Sequence, residues 1–234
     1  MKNTPAILAL VLTLGVLALA VGLASSASAQ DFSLGADVVS RYIWRGADFG
    51  ESASIQPSLA VSSGGFEIGT WASYATNPES AGANEHDLWI GFTTGPLSFG
   101  VTDYYFPNAG ADFFNFDGDG EGAHMIEPYV SVTGPEVFPV TLFAGYFAHN
   151  DPDNSVYLNA SYPFAVEGVD LSFDLGASAT ESALYGTDGF GVTDITLAAS
   201  KSVPLTDAFA LPLSVAYILN PYAERSFLVF GISF

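Results

Sequence analysis

The sequence contains no cysteine. This excludes a disulfide framework, thiolate-ligated zinc or iron–sulfur centres, and a cysteine-linked lipid anchor. Basic residues are nearly as scarce: five Lys and Arg stand against 25 Asp and Glu among 234 residues, a formal net charge of −20. Nucleic-acid binding, which needs a clustered positive surface to neutralise phosphates, is excluded on that count. Charge of either sign is also sparse, at 13% of residues, while hydrophobic residues reach 49% and the mean hydropathy is +0.34. Disordered chains do not carry so much apolar material. An acidic protein with so few charges overall implies a solvent other than water around part of its surface.

Long hydrophobic runs are absent but for one. Met1-Lys2 opens the chain, an apolar stretch follows from Ala6 to Leu23, and Ser26 to Ala29 reads Ser-Ala-Ser-Ala. Small residues at Ala27 and Ala29 have the spacing that signal peptidase reads. Residues 1–29 are therefore expected to be a cleaved signal peptide, and residues 30–234 a single exported domain. Without Lys2 the exported part has four basic and 25 acidic residues, a charge of −21. Beyond residue 30 no run is long enough to span a bilayer as a helix.

What the remainder shows is a period of two. Leu171, Phe173, Leu175, Ala177 and Ala179 alternate with Ser172, Asp174, Gly176, Ser178 and Thr180. Leu34, Ala36, Val38, Tyr42 and Trp44 alternate with small and charged residues in the same way. This alternation predicts strands, expected at 32–45, 52–63, 65–76, 85–94, 96–106, 123–133, 138–149, 154–164, 169–180, 191–202, 209–219 and 224–234. Their connections alternate between short turns, such as Thr94-Gly95-Pro96, and longer loops rich in acid, Asn, Gly and Pro. The fold class expected is all-β: a closed antiparallel transmembrane barrel of about 12 strands with both termini periplasmic. In hydrocarbon every backbone polar group must be paired internally, so a sheet spans only when it closes on itself.

A soluble sandwich or lipocalin-like barrel would show the same alternation with the apolar face inward. The polar face separates the two readings. It is dominated by Gly, Ser, Thr and Ala, and after residue 30 the only lysine is Lys201, whereas water-exposed sheets carry many charges. Aromatics near strand ends (Tyr42, Trp44, Tyr74, Tyr104 to Phe106, Tyr146, Phe147, Tyr162, Phe164, Tyr217 and Tyr222) fit an interfacial girdle. Phe230, Ile232 and Phe234 alternate to the last residue, a pattern similar to the C-terminal signal read by barrel-assembly machinery.

Ser40-Arg41-Tyr42-Ile43-Trp44-Arg45-Gly46, then Ser54-Ile55-Gln56-Pro57-Ser58-Leu59 and Gly69-Thr70-Trp71-Ala72-Ser73, resemble the N-terminal part of the TorF-type porin family. The resemblance covers residues 33–76. It implies an outer-membrane location and a channel role without a defined substrate. The acidity and the Asp/Gly-rich stretch near residue 117 depart from that family.

Strand phase places Asp37, Arg41, Arg45, Glu67, Asp87, Glu127, Asp174, Asp194 and Arg225 opposite the apolar face, toward the lumen. A charge turned to mid-bilayer instead would cost about 2–4 kcal/mol for a basic residue. A net-negative lumen favours cations; alternatively, Arg41 and Arg45 pair with carboxylates and plug the interior. Asp117, Asp119 and Glu121 resemble the opening of a calcium loop, but its twelfth position is Pro128 rather than a bidentate Glu. A weakly bound divalent cation in the acidic loops is the one cofactor considered. His86, His124 and His149 lie near the outer rim; His149 with Ser155 and Asp151 or Asp153 is the one constellation suggesting hydrolysis, without a nucleophile motif. The three histidines, from different loops, are also a weak candidate metal site.

The reading is thus a porin-like channel for passive diffusion of small, preferably cationic solutes, with outer-membrane lipids and assembly machinery as partners and no enzymatic role. A non-conducting structural or adhesive barrel and a lipid-modifying enzyme are the alternatives.

Overall fold

Period-two sequences form extended segments with chemically distinct faces, and short Gly-containing turns return each segment alongside the one before it. The computed structural model describes residues 30–77, 84–107, 112–118 and 120–234; the expected leader at 1–29 and Asp119 lie outside these. Among the described residues sixteen strands follow one another: β1 (Asp31–Val39), β2 (Ile43–Trp44), β3 (Ala47–Asp48), β4 (Ser54–Ser63), β5 (Phe66–Ala75), β6 (Glu85–Thr94), β7 (Leu97–Tyr105), β8 (His124–Thr133), β9 (Thr141–Tyr146), β10 (Val156–Val166), β11 (Val169–Ser178), β12 (Glu181–Ser182), β13 (Thr187–Asp188), β14 (Gly191–Thr206), β15 (Phe209–Asn220) and β16 (Arg225–Ser233). Twelve of them close into an antiparallel barrel in the order β1-β16-β15-β14-β11-β10-β9-β8-β7-β6-β5-β4, while β2–β3 and β12–β13 are separate two-stranded hairpins. The ring closes where Asp37, Val38 and Val39 pair with Ser233, Ile232 and Gly231. Phe234 adds two backbone bonds to Ala36.

The apolar faces point outward. Leu34 is 81% exposed, and Leu59, Leu88, Val130, Leu175, Leu197, Leu228 and Phe230 are also exposed along the wall. Among the described residues no hydrophobic layer forms between two sheets. The buried apolar cluster instead lies inside the barrel, where Tyr104, Phe147, Tyr157 and Tyr185 pack with Trp44, Met125 and Phe143.

Two sequence expectations are corrected. The first strand does not run to residue 45: β1 ends at Val39, and the chain turns into the barrel to form β2–β3. Ser40 interrupts the apolar phase there, and its backbone N–H bonds the Phe230 carbonyl. Tyr42, Trp44, Tyr104 and Phe147 accordingly belong to the interior rather than to a girdle. Tyr74, Tyr146, Tyr162, Phe164, Tyr217 and Tyr222 are exposed.

Glycines on the inward face serve a packing purpose. The Trp89 ring lies against Gly69, the Tyr129 ring across Gly91 and Gly100, and the Tyr157 hydroxyl against Gly176, each occupying the space a Cβ would need. Aromatic side chains from neighbouring strands thus cover the bare backbone at these points.

Candidate functional site in the barrel lumen

The hairpin β2–β3 is made by a two-residue turn in which Arg45 and Gly46 both have positive φ, 51° and 80°. That conformation matches the twist of a tight hairpin and favours Gly at the second position. Here Gly is needed twice over, because a Cβ on Gly46 would collide with the Thr193 carbonyl.

Residues 42–49 reach nearly all round the wall. Tyr42 packs on Trp71 of β5 and donates to Glu85 of β6 at 3.1 Å. Trp44 meets Tyr104 of β7 edge-on and stacks on Tyr185. Arg45 binds Glu127 of β8 and lies over the rings of Phe143 and Tyr157, from β9 and β10. Gly46 touches Thr193 of β14, and its carbonyl accepts from the Asn220 side chain of β15. One short hairpin can meet eight wall strands only by lying across the lumen.

Arg45 is its centre. The guanidinium makes a bidentate pair with Glu127, at 2.7 and 2.9 Å, and donates to the Tyr185 hydroxyl at 2.6 Å. Tyr104 donates to the same carboxylate at 2.7 Å. The cation lies 4.3 Å from the ring centroids of both Trp44 and Tyr157, a geometry that strengthens when water is excluded. Burial works against the Arg45 charge, but Tyr185, Glu127 and Tyr104 outweigh it and hold its pKa above the ordinary arginine value. Burial also raises the Tyr42 phenol well above its usual range, with the Glu85 and Asp87 carboxylates adding to the effect. The void among Trp44, Phe49, Glu85, Tyr104, Phe147 and Leu184 is about 10 Å³, room for a single water.

The other expected lumen residues divide by level. Arg41 pairs with Asp48 at 2.6 Å across the base of the hairpin, so Arg41 and Arg45 both reside in the inserted segment and not on the wall. Asp87 is buried, and one of its carboxylate oxygens has no hydrogen-bond partner among the described residues. Asp174 accepts from Ser172 at 3.0 Å, and Asp194 from Thr196 at 2.6 Å and Tyr157 at 3.4 Å. Asp37 is exposed on the inward phase of β1, and Arg225 is exposed at the long-loop end of β16. Toward the short-turn end, Glu67 accepts from the Trp89 indole at 2.8 Å and borders a polar cavity of about 330 Å³.

In the long loops, Asn150 organises the described part of 117–122. Its side chain accepts from the Gly120 N–H at 2.7 Å and donates to the Gly122 carbonyl at 2.8 Å. Among the described residues, which omit Asp119, no three metal-ligating side chains come together, and Asp117 and Glu121 form no such group with the histidines. Ser155 bonds Ser182 through its hydroxyl at 2.6 Å and Asp151 through its backbone N–H at 2.7 Å. Asp153 accepts from the Ala183 backbone.

Sequence reasoning missed three participants. Tyr104 and Tyr185 were invisible as partners of the Arg45–Glu127 pair because their contacts join different elements, 140 residues apart for Arg45 and Tyr185, and Trp44, next to Arg45 in the chain, was assigned to the girdle rather than to the guanidinium. The Arg45-Gly46 step was the available sign of a turn. Also unforeseen is a buried pair on the outward face: His124 contacts Asp103 at 2.9 Å and the Phe113 carbonyl at 2.6 Å, between stacked Phe116 and Tyr105 rings. It fastens residues 113–116 against the outside of the wall.

No curated protein matches the chain. A family model does match, over residues 23–224, and the chain belongs to that family, Gcw_chp, bacterial proteins of unknown function.

Proposed function

We propose that the protein is an outer-membrane barrel, exported by its leader and folded with both termini periplasmic, whose lumen is closed by its own β2–β3 hairpin in the conformation described. The outward apolar wall supports the membrane assignment, since so much exposed hydrocarbon-like surface is stable only against lipid. The terminal Phe230, Ile232 and Phe234 fit recognition by assembly machinery. The observation that carries the closure is the contact of residues 42–49 with eight wall strands around Arg45 and Glu127. On this reading the resting protein is a non-conducting surface barrel. It performs no chemistry and needs no cofactor; Ser155 and Asp151 are engaged in loop contacts.

A second reading, the cation-preferring porin of the TorF type, is favoured by the exposed inward carboxylates Asp37 and Glu67. Planar-bilayer recording separates the two. Closure predicts a silent wild type and a conducting variant in which residues 42–49 are replaced by a short Gly-Ser link, with cations preferred. Steady conductance of the wild type would transfer the assignment to the open porin.

A further inference from the structure

Below the plug, one row of residues crosses four strands at a common level. Glu67 of β5 pairs with Gly91 of β6, Gly91 with Gly100 of β7, and Gly100 with Tyr129 of β8. An acid and a phenol thus bracket two side-chain-free positions. The hydroxyl end of Tyr129 lies over both glycines, in the space a Cβ would need at each, and Glu67 is the register partner of Gly91. From the other side the Trp89 indole lies on Gly69 and donates to Glu67 at 2.8 Å, orienting the carboxylate. Phe143 stacks against Tyr129 at 5.7 Å, which limits ring movement.

The result is a cavity of about 330 Å³, within the range of small-ligand sites, with Tyr129 on one wall, Glu67 on another and Asp31 at its mouth. None of the described residues bordering it is basic. Tyr129 is half-buried and Glu67 exposed, so both are reachable from the short-turn end. A flat electron-rich ring beside an oriented carboxylate attracts a cation that also carries apolar surface. A bare metal ion would gain little from the ring, and an anion is repelled by both acids.

We propose that this vestibule is a binding site for small organic cations of the alkylammonium class, held over Tyr129 and paired with Glu67. The proposal rests on the lumen being water-filled at this end and is independent of whether passage through the plug is open.

The test uses the full exported chain in detergent, titrated with tetramethylammonium chloride and followed by calorimetry and tryptophan fluorescence, with sodium chloride and glucose as comparisons. Saturable binding is expected for tetramethylammonium alone, with a fluorescence change that disappears in Trp89→Phe. Glu67→Gln and Tyr129→Leu should each weaken it about tenfold, while Glu181→Gln, exposed in a long loop at the opposite end of the barrel, leaves it unchanged. Gly69→Ala, which forces the indole off the wall, should also weaken it, and Glu67→Gln decides the matter if the glycine variant fails to fold. Equal binding of glucose, no saturable heat with tetramethylammonium, or full affinity in Glu67→Gln would overturn the proposal. Because no membrane or current is involved, a negative result here leaves the closure reading untouched, and a conducting wild type leaves this one untouched.

Discussion

Arg45 brings a full positive charge into an aromatic cluster, and it is tolerable there because Glu127, itself 1% exposed, meets it with two hydrogen bonds. Such a pair contributes little net stability compared with apolar packing, but removing one partner strands the other without water. Arg45→Met and Glu127→Leu made separately should each lower barrel stability by about 3–5 kcal/mol. The double variant should recover much of that loss, because no charge is left unpaired. Denaturant melts in detergent would show it. Additive losses in the double variant would mean that the pair is not coupled.

At the scale of the element, the hairpin depends on its turn. Gly46 has φ of 80° and no room for a Cβ against Thr193. Gly46→Ala should therefore unseat β2–β3 while the twelve-stranded wall persists. Limited proteolysis within residues 40–53 of the variant, absent in wild type, is the expected readout; an equally resistant variant would show that the tip adapts. The same element marks the limit of what sequence could reveal. Where alternation was uninterrupted and bounded by turns, as at Glu85–Thr94, expected and observed strands coincide. Past the break at Ser40 the alternation resumed with Tyr42 and Trp44, but as a separate hairpin whose apolar residues face aromatic partners inside the barrel. Period alone distinguishes the two faces of a strand; it does not show whether the strand belongs to the wall. The inward phase of Glu67, Asp87, Glu127, Asp174 and Asp194 was legible for the first reason, and the plug built by Arg45 was not, for the second.

For the whole molecule, the seam that closes the ring is its shortest. β1 and β16 share three register pairs, whereas β1 and β4 share nine. Fewer ladder bonds imply lower local opening energy. Hydrogen exchange in detergent should find the β1 amides facing β16 exchanging sooner than those of the β14–β15 pair, which runs for eleven register positions. Uniform protection around the ring would refute this.

That seam also dictates the order in which the protein can form. Every other junction in the ring joins strands adjacent in the chain apart from the inserted hairpins, and such neighbours can zip together soon after they meet. The last junction unites Ser40 with Phe230, 190 positions apart. Loop-closure entropy makes this the slowest contact to find. Until it is found, an open sheet presents two unpaired edges, each able to capture another chain. The interval before ring completion is therefore when the polypeptide most needs a chaperone, and variants that weaken the β1–β16 register should be lost as aggregates before they are seen as unstable barrels.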